Sequence, residues 1–203
     1  MRSSTERHGC DADELVVRAR SDRDALGQLY DSHYPIVHRY CWRRLFDRCA
    51  AEDVASQVFL QVAASMHRFP GTTSRDFRCW VFRIATNAIN AHQRQRLRRG
   101  ALLSRASRLG WWNRPDESEV SLPGEVMGVE WAAVAKALLS LSQRQQTAVS
   151  LRYMEGLSFA EIATVMGERE GVLRVLVSRA LERLRRRLAD PTADSNAGRG
   201  PRS

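Results

Sequence analysis

Apolar side chains recur at steps of three and four from residue 11 to about 99, the period of helices with one buried face. Asp13 is placed to cap a helix carrying Leu15, Val16 and Ala19, and Asp22 or Asp24 to open another with Leu26, Leu29 and Tyr30. Pro35 suits the first turn of a helix bearing Ile36, Val37, Tyr40 and the Cys41-Trp42 pair. From Asp53 onward, Val54, Ala55, Val58, Phe59, Val62, Ala63 and Met66 make a broad apolar stripe that leaves Glu52, Asp53, Ser56 and Gln57 on the other side. The run from Phe69 to Ser74 reads as a turn, and a further helix is expected from about Asp76 to Arg99. Strand-like alternation is absent, so this half reads as a helical bundle.

Gly100, Gly110, Pro115, Pro123, Gly124 and Gly128 then break any long period, while Asp116, Glu117, Glu119 and Glu125 gather in the same stretch. Residues 100–128 therefore read as a flexible linker, with Trp111-Trp112 expected to dock locally. Helical periodicity returns over 129–188. Ser142 with Gln145, and Ser158 with Glu161, have the capping-box spacing, and Gly156 and Gly167 stand where helices should stop. Leu173, Leu176, Val177, Ala180, Leu181, Leu184 and Leu188 fall within an arc of about 140° on a last helix. Residues 189–203 read as a disordered tail. The expected fold is all-α: two small helical domains, 11–99 and 129–188, joined by the linker.

Composition narrows the function. The 203 residues are 43% hydrophobic and 27% charged, a globular balance. No apolar run is long enough to span a membrane, and the polar start Met1-Arg2-Ser3-Ser4 lacks an apolar leader, so a cytoplasmic protein is expected. The formal net charge is +9, and Lys136 is the single lysine among 32 basic residues. Guanidinium groups bind phosphate bidentately and stack on bases, so this balance favours a nucleic-acid partner. The cysteines at 10, 41, 49 and 79 form no metal-ligand spacing, and no phosphate loop, nucleophile elbow or paired-histidine motif occurs. No metal, cofactor or enzymatic activity is expected.

Two basic segments stand out. Residues 83–108 hold seven arginines and no acid, with Phe77, Trp80 and Phe82 just upstream. Aromatic rings beside a cationic helix suit unpaired nucleic acid, the rings stacking on bases while arginines hold the backbone. Taken singly, each aromatic is as well explained as a core residue. In the second segment, a short capped helix from Phe159 to Met166, a glycine turn and a longer arginine-bearing helix make a helix-turn-helix, whose second helix enters a DNA major groove.

These segments together resemble the bacterial sigma factors of the compact extracytoplasmic-function (ECF) class. Ala51-Glu52-Asp53-Val54 through Phe59-Leu60 to Arg68-Phe69 is similar to the region-two helix that binds the polymerase clamp. Phe77-Arg78-Cys79-Trp80-Val81-Phe82-Arg83-Ile84-Ala85-Thr86-Asn87 resembles the promoter-melting segment, and Leu151-Arg152-Tyr153-Met154-Glu155-Gly156-Leu157-Ser158-Phe159-Ala160-Glu161-Ile162-Ala163 the start of region four. The resemblance implies that Glu52, Asp53, Gln57 and Phe59 meet core RNA polymerase. It implies that Arg75, Phe77, Trp80 and Asn87, with Arg94, Arg96, Arg98 and Arg99, hold the single-stranded minus-ten element. Arg169, Arg174, Ser178, Arg179 and Arg183 would then read the minus-thirty-five duplex. The implied partners are the polymerase clamp and flap, promoter DNA and an anti-sigma factor. A rival reading is a helix-turn-helix regulator that binds duplex DNA without polymerase.

Several positions depart from the family pattern. Ser56-Gln57 stands for the usual Gln-Glu, Thr86 for Arg, and Ala91 for Asp. The usual Thr-Val-(Arg or Lys)-Ser-Arg of the recognition helix reads Val172-Leu173-Arg174-Val175-Leu176. Val175 falls about 200° round from Leu173, on the outward polar face. Altered or weaker minus-thirty-five reading follows, with thymine-methyl contacts in place of a hydrogen bond.

Overall fold

A computed structural model of the chain describes residues 4–108 and 129–189, with side chains from 11 to 101 and from 133 to 189. The Trp111-Trp112 pair, the acidic cluster of the linker and the C-terminal tail lie outside the described residues. Eight α-helices and no strand occur among the described residues. The first four are α1 (Ser4–Arg18), α2 (Arg23–Leu45), α3 (Arg48–Ser65) and α4 (Ser74–Arg108). A 3-10 turn at Met66–Arg68 follows α3. The second group is α5 (Val129–Leu139), α6 (Gln143–Val149), α7 (Phe159–Met166) and α8 (Glu170–Ala189), with a π-helical turn at Ser150–Met154.

Local chemistry sets most of the helix boundaries. Asp22 caps α2, its carboxylate accepting from the amides of Asp24 and Ala25, and Asp47 caps α3 by accepting from Ala50. Both expected capping boxes, Ser142–Gln145 and Ser158–Glu161, are formed, and Gly167 closes α7 in the left-handed conformation at φ 69°.

Four boundary expectations are corrected. Asp13 does not cap α1, which begins at Ser4; its carboxylate instead accepts from the Ser74 amide at 2.6 Å and so caps α4 from another helix. Pro35 lies inside α2, on an exposed position where the carbonyl it leaves unpaired can meet water. Helix α3 starts at Arg48 rather than near Asp53, because Asp47 supplies the cap. Helix α4 starts at Ser74, where Thr73 and Asp76 bond each other's amides, and continues through Gly100 to Arg108.

Helices α1 to α4 enclose Val16, Leu29, Tyr40, Val58, Phe77, Phe82 and Ile89, all nearly or fully buried. Leu151, Leu157, Ile162, Leu173 and Val177 from the second group belong to the same continuous core. Phe46 makes the reverse excursion. It ends α2 in a left-handed conformation, φ 54°, and its ring sits among Ala135, Leu138, Leu141, Val149 and Ala180. A left-handed non-glycine residue costs roughly 1–2 kcal/mol, which burial of the phenyl ring offsets.

At Gly71, a side chain would meet the Phe69 ring at 2.5 Å and Asp76 at 2.6 Å. Glycine there lets the loop between α3 and α4 fold under Phe69, whose ring stacks on Trp80 at 4.6 Å. The Arg20 guanidinium donates to the Gly71 carbonyl at 2.6 Å and pins this loop to the turn between α1 and α2. The loop and the first turns of α4 are thereby set as one rigid surface.

Phe46→Ala should lower the unfolding free energy by about 3 kcal/mol, the range for emptying a buried aromatic site. Urea denaturation followed by circular dichroism measures it, and a loss below about 1 kcal/mol would contradict the seat described for this ring.

Candidate nucleic-acid interface

Helix α4 carries its polar chemistry along one line. Trp80, Asn87 and Arg94 are spaced by seven residues, and Ala91 and Arg98 fall between and beyond them, all within an arc of about 60° around the axis. Asn87, Ala91, Arg94 and Arg98 are exposed, and Trp80 is half-buried with its ring on Phe69. The stripe runs about 27 Å from Trp80 to Arg98. Arg99 lies to its side and Arg96 on roughly the opposite face, so the four arginines expected to act together are divided. Phe77 is corrected outright. It is 0% exposed, packed edge-on to His33 and Phe69, and cannot stack on a base. Its apolar period on α4 (Phe77, Val81, Ile84) already favoured the core.

The N-terminal end of this stripe faces the second group of helices. A cavity of about 720 Å³ separates Phe69, Trp80, Arg75 and Arg83 from Glu161 and Thr164 of α7. Arg75 bridges it, donating to Glu161 Oε1 at 3.0 Å and to Ser158 Oγ at 3.2 Å. Arg83 donates to the Thr164 carbonyl and Arg78 to the Glu155 carbonyl. Arg75, expected on nucleic acid, is therefore engaged within the chain.

Deeper in the seam the polar groups are buried. Arg44, 2% exposed, donates to Gln146 Oε1 at 2.9 Å, and Gln146 in turn donates to the Leu141 carbonyl. Glu155 pairs with Arg43 at 3.4 Å. Burial pushes the Glu155 carboxyl above the ordinary range, while Arg43, Arg39 and Arg78 pull it back. For Glu161, burial works against the charge, but the Ser158 hydroxyl and amide and the Arg75 guanidinium outweigh it and hold the carboxyl below its usual range. Burial also lifts the Cys41 thiol to about 12, so it is an inert apolar group. The seam itself is not an expectation of the sequence: Arg75 is expected on nucleic acid, and Ser158 and Glu161 only as a capping box. The available signal was Arg44, a cation at the spacing of the buried Tyr40 and Cys41.

On α3, Glu52, Asp53 and Gln57 are exposed, with Glu52 paired to Arg48 at 3.2 Å. Phe59 is 6% exposed and contacts Tyr30 edge-on at 5.0 Å, so it supports this face from beneath. Leu60, part of the segment similar to the region-two helix but not among the four expected contacts, is 71% exposed and continues the line of Asp53 and Gln57.

Arg169, just before α8, and Ser178, Arg179 and Arg183 on it are exposed. Arg174 is turned aside. Its guanidinium lies over the Phe159 ring at 4.7 Å and donates to Glu170 at 3.1 Å, while Arg152 lies over the same ring at 5.0 Å. Val172 and Val175 are 46% and 51% exposed, the outward placement expected for Val175.

Residues 29–99 match the model of sigma-70 region 2, and residues 131–184 that of sigma-70 region 4. The ECF RNA polymerase sigma factor SigL of Mycobacterium tuberculosis is 30% identical over 168 residues, which cover 82% of this chain and 90% of SigL. This chain belongs to the ECF sigma factors. Sigma factors of this class direct RNA polymerase to promoters. A second relative, the ECF sigma factor BldN of Streptomyces coelicolor, is 35% identical over 179 residues; the match covers 87% of this chain and 66% of BldN. RpoE of Bartonella quintana, solved in complex with the anti-sigma factor NepR, shares the fold at a TM-score of 0.62 and 22% identity, covering 80% of this chain and 96% of RpoE. No helix among the described residues of this sigma factor is long and apolar enough to cross a membrane.

Thr86, where the family favours Arg, is buried and shares a 3.0 Å hydrogen bond with the Tyr40 hydroxyl, which accounts for a small polar residue there.

The pH dependence of the seam has a definite sign. A carboxyl raised above its ordinary value of 4.5 contributes fully below that value, and the contribution is lost as pH rises through the raised one. Glu155→Gln should remove that loss, giving a flatter profile of thermal stability from pH 4.5 to neutrality and a melting temperature at pH 7 no lower than wild type. A variant that falls progressively below wild type over this range would contradict it.

Proposed function

We propose that this ECF sigma factor opens promoters by splitting recognition between its two halves, without catalysis of its own, in the cytoplasm. The exposed line of Glu52, Asp53, Gln57 and Leu60 docks on the polymerase clamp, the apolar Leu60 adding burial to polar contacts. Trp80 and Asn87 receive unpaired minus-ten bases above the Phe69 platform. Arg94 and Arg98, further along the same line, hold the neighbouring phosphates, with Arg99 beside them. Helix α8 enters the major groove upstream and the polymerase flap meets the second group of helices. The observation that carries this reading is the single stripe of α4, aromatic at one end and cationic at the other, within the segment that matches sigma-70 region 2.

Promoter engagement requires the seam to part, because α7 stands across the cavity from Trp80 and Arg75 is bonded to Glu161 and Ser158. The neighbour RpoE was solved in complex with an anti-sigma factor, and a partner of this chain that held its two halves together would keep the seam closed.

Run-off transcription with core RNA polymerase tests the proposal. A promoter-dependent product beyond core alone is expected, and Trp80→Ala should cut it about tenfold, within the range for losing one stacked base. No added product would overturn the reading. Full-affinity binding of the free protein to duplex DNA would favour the polymerase-independent regulator.

A further inference from the structure

We infer that Val172 and Val175 read thymine methyl groups in the upstream promoter duplex, an inference that rests on the proposed entry of α8 into the major groove. Both side chains project from the outward face, at 46% and 51% exposure, in the first turns of α8. Leu173, Val177 and Ala180 face the core, so neither valine serves the packing of this helix. A β-branched residue on an exposed helical position also loses rotamer freedom for no local gain.

The surroundings select nucleic acid as the occupant of this apolar pair. Arg169 precedes the helix, Arg179 lies about 40° from Val175 on the same face, and Arg183 flanks it. These three are exposed and have no ion-pair partner among the described residues. Gly171 sits beside Val175 with no atom within 4 Å of where a side chain would begin, so the backbone of the first turn can approach a groove floor closely. Arg174, one of the five residues expected on the upstream duplex, is committed to Phe159 and Glu170 on the flank. The centre of the footprint is left to the valines.

Chemistry then fixes the base. The major-groove edges of adenine, guanine and cytosine present hydrogen-bonding groups, and only thymine adds a methyl. A valine against any other base would leave a donor or acceptor desolvated without a partner. Side chains three residues apart on a helix are about 5–6 Å apart, so the pair spans one to two base steps.

The test uses holoenzyme assembled from the full chain and core polymerase, on an upstream duplex obtained by selection from random sequence. Each thymine of that element is replaced singly by uracil, which removes the methyl and nothing else. Wild-type promoter binding should fall about fourfold at one or two positions, the value of one buried methyl-sized group. Val175→Ala or Val172→Ala should weaken binding to the thymine duplex by a similar factor and become insensitive to uracil at its own position. Should one valine variant fail to fold, the other variant and the wild-type scan decide the matter. A flat uracil scan, or sensitivity unchanged in both variants, would overturn the inference. Arg179→Ala separates the two levels. If it weakens binding while the uracil scan is flat, only methyl reading fails; if it too changes neither affinity nor salt dependence, entry of α8 into the groove fails as well.

Discussion

The apolar interior that passes without a break from α2 and α4 into α7 and α8 is the constraint on which this structure turns. Leu157, Ile162 and Leu173 complete the core of the N-terminal helices, and Phe46 completes that of the C-terminal ones. Exchange of side chains in both directions makes the seam resemble a domain interior cut in half rather than a polar contact between modules. The ion pairs at its rim add little, since Arg75 keeps 63% of its side-chain surface in water and such pairs are worth about 0–1 kcal/mol. Arg44 and Glu155, deep within it, are costly to bury and demand accurate partners, so they specify register more than they stabilise. Adhesion comes from carbon, and alignment from the buried charges.

That arrangement sets holding against function. The surface of α4 that carries Trp80 is the surface that α7 faces, and Arg75 is both a seam residue and a candidate contact for single-stranded DNA. A molecule built this way is at rest when closed and acts when another surface competes for its halves. On the proposed reading, core polymerase would hold each half at a separate point and supply such competition through two docking sites on one chain, where effective concentration favours the second contact once the first has formed. The outward face of α8 takes no part in the seam, so duplex reading by Arg179 and the valines is compatible with either state.

Much of the fold was legible because helix boundaries are set by local chemistry. Capping boxes at Ser142 and Ser158, the cap at Asp22 and the stop at Gly167 need only neighbours in sequence. Asp13 was misplaced because its amide partner, Ser74, is distant in the chain, and Pro35 because tertiary packing carried α2 through it. In the candidate site, the aromatic and cationic composition of α4 was legible, while its division was not. Burial decided that Phe77 belongs to the core, that Trp80 lies half-open on Phe69, and that Arg174 serves Phe159. The seam was illegible for a related reason: Arg44, Gln146 and Glu155 are ordinary polar residues until two distant segments are brought together.

The most direct measurement is the distance between α4 and α7 before and after assembly. Spin labels at Ala91→Cys and Thr164→Cys, in a chain lacking Cys10 and Cys49, would report it by pulsed electron resonance. A short, narrow distribution is expected for the free protein, replaced by longer distances in the holoenzyme on promoter DNA. The same short distance persisting in a complex that is making transcripts would contradict the account.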